Sequence, residues 1–409
     1  MITRTIIKQI LKKIETYPVT LVTGARQIGK TTACLEIKKQ GTWKYVTLEN
    51  NDFRLLANTD PKRFLEVYSP PVIIDEIQYA PILFEYINTL VNQTRIENKN
   101  ANGMFLLTGS QQYGLMRNVT QSLAGRVGII DMLPLSQSEI MDRDEIPFLV
   151  NKQILNSRCE PLNTKETILE KITRGSFPEL HKSVNLETKS FYQDYLRTYL
   201  ERDVRELTNL KDWKSFNIFL KLLAANCGGT LSYEILSRDV GVNQKTIRNW
   251  INILETTNLI YQLHPYYEYS FVKQLVKRPK IYFFDTGLLC YLNGLSDPLN
   301  LEQSILLGRI LENYVINEII KSYINNGADA NFYYYRDKNQ AEIDFIIQTG
   351  GKNTLIEIKT SSAFSSCQIK HFKVMDNSKY PLANSALICL VNSVYQINEK
   401  VYAVPISAI

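Results

Sequence analysis

Ile2, Ile6, Ile10 and Ile14 recur every fourth position in MITRTIIKQILKKIE. That spacing predicts an amphipathic helix, with Arg4, Lys8, Lys12 and Lys13 mostly off the apolar stripe. The run Val19-Thr20-Leu21-Val22 reads instead as a buried strand, and a helix over 32–39 follows the loop after it. Val72-Ile73-Ile74 and Phe105-Leu106-Leu107 are continuous apolar runs, as expected of strands covered on both faces. The first ends in Asp75-Glu76 and the second in Thr108-Gly109-Ser110-Gln111. The segment Ser122–Ile130 then sets Arg126 between a helix and another strand.

Residues 141–165 are mixed polar and charged and mark a boundary. Ile168, Leu169, Ile172, Leu196, Tyr199 and Leu200 continue with helical spacing, which predicts a helical lid beside the first region. Leu231–Arg238 reads as a short helix with Ser232 as its cap, Asp239–Val242 as a glycine turn, and Gln244–Thr257 as a second helix capped by Asn243. A strand over 259–263 completes the outline of a winged helix-turn-helix. Ile247, Ile251 and Leu254 form its packed face, leaving Lys245, Arg248 and Asn249 for phosphate or base edges. A purely structural docking module fits the same pattern.

Further on, Arg278–Leu288 reads as a strand and turn. A helix over 308–323 carries Leu311, Val315 and Ile319 on one face with Glu312 beside them. Strands over 342–347 and 354–359 flank Gly350-Gly351, a favoured hairpin loop. Turning there sets Asp344 opposite Glu357 and Glu342 opposite Lys359, all on one face, with Ile343, Phe345, Ile356 and Ile358 on the other.

The length of 409 residues predicts two or three domains, and an apolar fraction of 44% excludes a mainly disordered chain. No apolar run approaches the ~20 residues of a membrane helix, and no secretory signal is evident. Six scattered cysteines form no C-x-x-C pair, so a reducing cytoplasm is expected and neither a disulfide framework nor a zinc site. The net charge of +6 permits nucleic-acid contact without establishing it.

Gly24-Ala25-Arg26-Gln27-Ile28-Gly29-Lys30-Thr31 matches G-x-x-x-x-G-K-[ST] between a strand and a helix. Its backbone N–H groups, with Thr32 following, would cradle the phosphates of ATP, and Lys30 would reach the β/γ-phosphates. Thr31 would offer a hydroxyl to Mg²⁺. Asp75 would hold Mg²⁺ and Glu76 polarise the attacking water. The Asp344–Glu357 juxtaposition invites a divalent cation between two repelling carboxylates. A charged outer face with a Glu342–Lys359 pair accounts for the pattern equally well.

On these motifs the first 140 or so residues resemble the AAA family of ATPases. The resemblance makes FLLTGS a sensor-1 strand, with Ser110 near the γ-phosphate. It makes Arg126 in LAGRV an arginine finger acting on a neighbouring copy, so a homo-oligomer is implied. Arg174 and Arg202 are candidates for a second sensor. The series Glu312, Asp344, then Glu357-x-Lys359 resembles the PD-(D/E)XK nuclease superfamily, and Gln368 with Phe372 partly echoes a further element. That resemblance implies Mg²⁺ on Asp344 and Glu357, Lys359 on the reacting phosphate or water, and Glu312 as a further acid.

GARQIGKTT, VIIDEIQ, LTGSQQ, GSFPEL, YLERDV, YFFDTGL, YYRDKNQAEIDF and EIK extend the likeness over nearly the whole chain. It resembles prokaryotic ATP-binding proteins that join an AAA module to a nuclease-related domain of unknown function. The expected fold is α/β: a P-loop AAA-type domain over 1–150, a helical lid over 151–226, a winged helix-turn-helix over 227–275 and a PD-(D/E)XK-like α/β domain over 276–409. The expected function is an ATPase coupled to a nucleic-acid-facing effector. The alternative is an ATP-switched module with an inert nuclease-like domain that binds a protein partner.

Overall fold

A computed structural model describes all residues except 1, 99, 110–121, 160–163, 184, 201–212 and 269–277. Two sheets organise the chain. The first joins β1 (Val19–Thr23), β2 (Lys44–Thr47), β3 (Val72–Asp75), β4 (Phe105–Thr108) and β5 (Val127–Asp131) in the order β2-β3-β4-β1-β5. Every pairing is parallel. Strand alternation sends Leu21, Ile74 and Leu107 into one apolar cluster and Val22, Ile73 and Leu106 into the other. Being covered on both faces is why these strands lack polar alternation.

The second sheet contains β6 (Ile260–Pro265), β7 (Lys280–Phe283), β8 (Asn331–Arg336), β9 (Glu342–Thr349), β10 (Lys352–Ile358), β11 (Ser385–Cys389), β12 (Tyr395–Gln396) and β13 (Val401–Pro405). Its order is β12-β13-β11-β10-β9-β8-β6-β7. β6 pairs with β7 on one side and β8 on the other, so one sheet joins strands from both sides of the boundary expected at 275/276. The β9–β10 hairpin turns at Gly350-Gly351 in the expected register, from Thr349↔Lys352 to Phe345↔Ile356. The ladder stops one step before Asp344 and Glu357, where the Asp344 carboxylate accepts the Ile358 N–H at 2.8 Å.

The first helix starts later than its isoleucine stripe, at Ile7–Thr16, so Arg4 lies in the turn before it. The helix Leu307–Asn325 departs from the one-sided expectation: 14 of its 19 residues are buried, so both flanks are packed. Its interior polar residues are tied to neighbouring elements. The Asn313 side chain exchanges hydrogen bonds with the Phe283 N–H and carbonyl. The Ser322 hydroxyl accepts the Phe148 N–H.

Local signals set the two helices in front of β6. Ser232 caps Tyr233–Val240 and Asn243 caps Gln244–Thr256. Gly241 ends the first helix in the left-handed region at φ 79°, where a side chain would strain the backbone. Trp250 joins Ile247, Ile251 and Leu254 on the buried face and packs edge-on against Phe216, 5.2 Å between ring centres. Among the described residues no helix is long and apolar enough to cross a membrane.

Candidate functional site

β1 leads straight into the glycine loop, and the helix Lys30–Lys39 starts within the motif. Gly24, at φ 141°, runs against β5's exit: a Cβ there would lie 2.2 Å from the Met132 carbonyl oxygen. Gly29 is left-handed at φ 93°. Both positions require glycine to bring the backbone through the turn. Lys30 is buried and donates to the carbonyls of Gly24 at 2.9 Å and Ala25 at 2.7 Å, which arches the loop over its ammonium.

Thr31 Oγ1 lies 3.1 Å from each Asp75 carboxylate oxygen. A hydroxyl and a carboxylate side by side form a hard oxygen donor set, which suits Mg²⁺. Two residues not anticipated as site residues also converge on Asp75. The Tyr45 hydroxyl donates to it at 3.0 Å, and the Thr108 hydroxyl donates to its other oxygen. Thr108 also accepts the Glu76 N–H at 3.1 Å, which locks the two acids to the end of β4. Glu76 sits in the left-handed region at φ 57° and receives a hydrogen bond from Gln78. Burial and the nearby Asp75 charge raise the Tyr45 hydroxyl well above its ordinary range, so it stays a donor at neutral pH.

An open cleft is bounded by Arg26, Gln27, Gly29, Lys30, Thr31, Thr32 and Glu76. Pro178 and Glu179 of the GSFPEL segment, with Lys182 just beyond it, close its other side. Ala25 and Ile28, expected in the phosphate cradle, are buried and do not line this cleft. Ser110 and Arg202 lie outside the described residues. Arg174 is not among the residues lining the cleft and donates to the Leu180 carbonyl.

Arg126 stands at the opposite end of the first sheet. Its carbonyl accepts the Val19 N–H, and β1 runs from there to Thr23 before the glycine loop begins. Five strand residues span roughly 16 Å. Arg126 therefore cannot serve its own chain's cleft. Its guanidinium is half-buried, donating to Asn92 Oδ1 at 3.0 Å and the Ala124 carbonyl at 3.2 Å.

The acidic residues of the second sheet do converge. Lys359, just beyond β10, lies 2.6 Å from Glu357 and 3.6 Å from Asp344. Burial first, then the like charge of Asp344, pushes Glu357 up to about 7 despite Lys359. Glu312 reaches the cluster from the long helix, 3.3 Å from Lys280 and accepting from Tyr282. Burial raises it to about 6, with Lys280 opposing and Asp344 adding to the rise. Glu342 does not meet Lys359. The ladder ends before that pair, and Lys280 from β7 takes Glu342 at 2.8 Å. The cation between Asp344 and Glu357 is thus the Lys359 ammonium. Among the described residues no three His, Cys, Asp or Glu side chains are grouped to hold a metal.

On the second capped helix, Lys245, Arg248 and Asn249 are exposed, and the Arg248 guanidinium stacks 4.1 Å above the Tyr233 ring. Phe372 is buried under the second sheet, while Gln368 caps its own helix and reaches Ser361.

Three family models match the chain: an AAA domain at 16–141, a domain of unknown function (DUF8612) at 165–299 and another (DUF4143) at 307–409. The first supports an AAA-type, P-loop ATPase-like domain over those residues. An uncharacterized protein of Mycobacterium tuberculosis is 29% identical over 95% of this chain and 80% of its own length. One of Methanocaldococcus jannaschii is 25% identical over 64% of this chain and 60% of its own. A solved Walker-type ATPase of Pyrococcus abyssi aligns over 70% of this chain and 94% of its own, with 13% identity and a TM-score of 0.38. At that score the likeness is too loose to bear on the fold.

Proposed function

We propose that this chain binds MgATP in the glycine-loop cleft, hydrolyses it in an assembly of copies, and couples nucleotide state to a nucleic-acid-facing effector. The observation that carries the reading is the contact of Thr31 with Asp75, beside Lys30 in a loop whose glycines admit no Cβ without strain. Lys30 exchanges its two carbonyl partners for phosphate oxygens. Thr31 and Asp75 would hold a magnesium ion, which would offset the negative charge of the phosphates. Glu76, placed by Thr108, orients the attacking water. Arg126 faces the cleft of a neighbouring copy, and Lys182 closes the cleft over the phosphates.

In this reading residues 1–150 form the ATPase domain, 151–226 the lid, 227–275 a winged helix-turn-helix and 276–409 a nuclease-like domain. Lys245, Arg248 and Asn249 contact nucleic acid. Asp344 and Glu357 would hold Mg²⁺, with Glu312 as a further acid behind them, and Lys359 would steady the scissile phosphate. The second reading keeps the ATP switch but makes the acid cluster an inert docking element for a protein partner. The observation in its favour is Lys359 seated against both Asp344 and Glu357, already balancing their charge.

Hydrolysis by mixed variants tests the assembly. Arg126→Ala and Glu76→Gln should each be inactive, and mixing them should restore part of the turnover, because some interfaces then pair an intact finger with an intact acid. Failure of the mixture to exceed either variant alone contradicts an arginine in trans. Incubating DNA with Mg²⁺ separates the two effector readings. Cutting that vanishes in Asp344→Asn supports the nuclease, and no cutting by wild-type protein supports the inert element.

A further inference from the structure

The glycine loop is held from behind as well as from the cleft. Arg4 is 6% exposed and each of its three guanidinium nitrogens donates a hydrogen bond. Nη1 donates to the Ile28 carbonyl at 2.7 Å, Nη2 to the Leu133 carbonyl at 2.7 Å, and Nε to Glu139 at 3.0 Å. Glu139 is fixed in turn by the N–H groups of Thr5 at 2.8 Å and Ser136 at 3.1 Å. The segment carrying these partners is braced by the long helix. Glu318 accepts the Gln137 N–H at 2.6 Å, and Lys321 donates to the Leu135 carbonyl at 2.8 Å.

The Ile28 carbonyl is a telling place to grip. It belongs to the same peptide unit as the Gly29 N–H, and in a planar trans unit the two point in opposite directions. Pinning the carbonyl toward Arg4 therefore aims the Gly29 N–H away from Arg4. Gly29 borders the cleft, immediately before Lys30. With no Cβ and a left-handed φ of 93°, its peptide planes would otherwise swivel readily. A guanidinium suits the task because its planar fork can hold two carbonyls and a carboxylate at fixed angles.

We infer that Arg4 is a positioning residue for nucleotide binding: anchored by Glu139, it holds the Ile28–Gly29 peptide so that the Gly29 N–H faces the phosphates. This rests on the ATP-site reading above. The effect is confined to ligands that carry a β-phosphate, since the gripped peptide belongs to the phosphate loop.

Calorimetry of full-length Arg4→Lys with MgATP, MgADP and AMP tests it, alongside wild type, Lys30→Ala and a thermal melt. Lysine keeps the charge beside Glu139 but not the fork. Affinity for ATP and ADP should fall about tenfold, the scale of one charge-assisted hydrogen bond, while AMP affinity is unchanged. A folded Arg4→Lys that binds ATP within twofold of wild type overturns the inference, as does an equal loss for AMP. Should Arg4→Lys not fold, Glu139→Gln carries the test, since it keeps the guanidinium and its carbonyl contacts. It should weaken ATP and ADP severalfold and spare AMP, and no change overturns the inference. Wild-type protein that takes up no ATP would instead sink the nucleotide reading itself.

Discussion

Raising the pH from about 5 to about 8 should loosen the acid cluster of the second sheet. In an unfolded chain Glu312 and Glu357 would titrate near 4.5, whereas in the fold burial and Asp344 raise them to about 6 and about 7. Between those limits the native state holds more protons than the unfolded one. Stability linked to Glu357 is therefore fully present below pH 4.5 and is lost as the pH rises through about 7. At about 1.4 kcal/mol per pKa unit, the loss is about 3 kcal/mol for Glu357 and about 2 kcal/mol for Glu312. Both carboxylates feel Asp344, so the combined loss should lie nearer the larger figure than the sum. Thermal melts across this range should show wild-type protein losing several degrees. Glu357→Gln removes the larger titration and should flatten the curve. Millimolar Mg²⁺ should shift the wild-type transition to lower pH if the cluster takes a metal, and leave it in place if Lys359 alone neutralises it. Identical pH slopes for wild type and Glu357→Gln would mean that Glu357 does not carry the pH dependence.

Gly24→Ala forces a Cβ to within 2.2 Å of a backbone oxygen at an unfavourable φ, so the loop must shift. The overlap and backbone strain cost about 2–4 kcal/mol, read as a lower melting temperature with loss of nucleotide binding. Thr108→Val keeps the volume but removes the hydroxyl that joins Asp75 to the Glu76 N–H. Turnover should fall at least tenfold with KM little changed, checked by steady-state ATPase kinetics. Lys182→Ala should raise KM for ATP severalfold while leaving the melting temperature unchanged, because this residue borders the cleft from the opposite side.

Short-range signals made much of this molecule readable from its sequence. The glycine loop, the buried strands, the two capped helices and the β9–β10 register each depend on neighbours a few residues apart, so their patterns survive in one dimension. Arg4 was not readable as a site residue: one arginine among four basic residues near an apolar stripe suggests a solvated face. Its partners, Ile28, Leu133 and Glu139, are distant in sequence. Tyr45 and Thr108 escaped for the same reason, since only parallel pairing brings β2, β3 and β4 to one carboxylate. The long helix misled in a different way. Leu311, Val315 and Ile319 imply one buried face, yet Glu318 and Lys321 are also interior because the loop over 135–137 supplies partners for them. Glu342 was assigned to Lys359 by extending the hairpin ladder beyond where it ends, and β7 contributes Lys280 there instead.

The glycine loop and the Thr31–Asp75 pair together make a triphosphate site. Isothermal calorimetry of MgATP with wild-type protein and with Lys30→Ala tests it most directly. Wild type should show saturable, magnesium-dependent uptake, and a Lys30→Ala protein that melts normally should show none. Equal uptake by both proteins, or none by a correctly folded wild type, would contradict it.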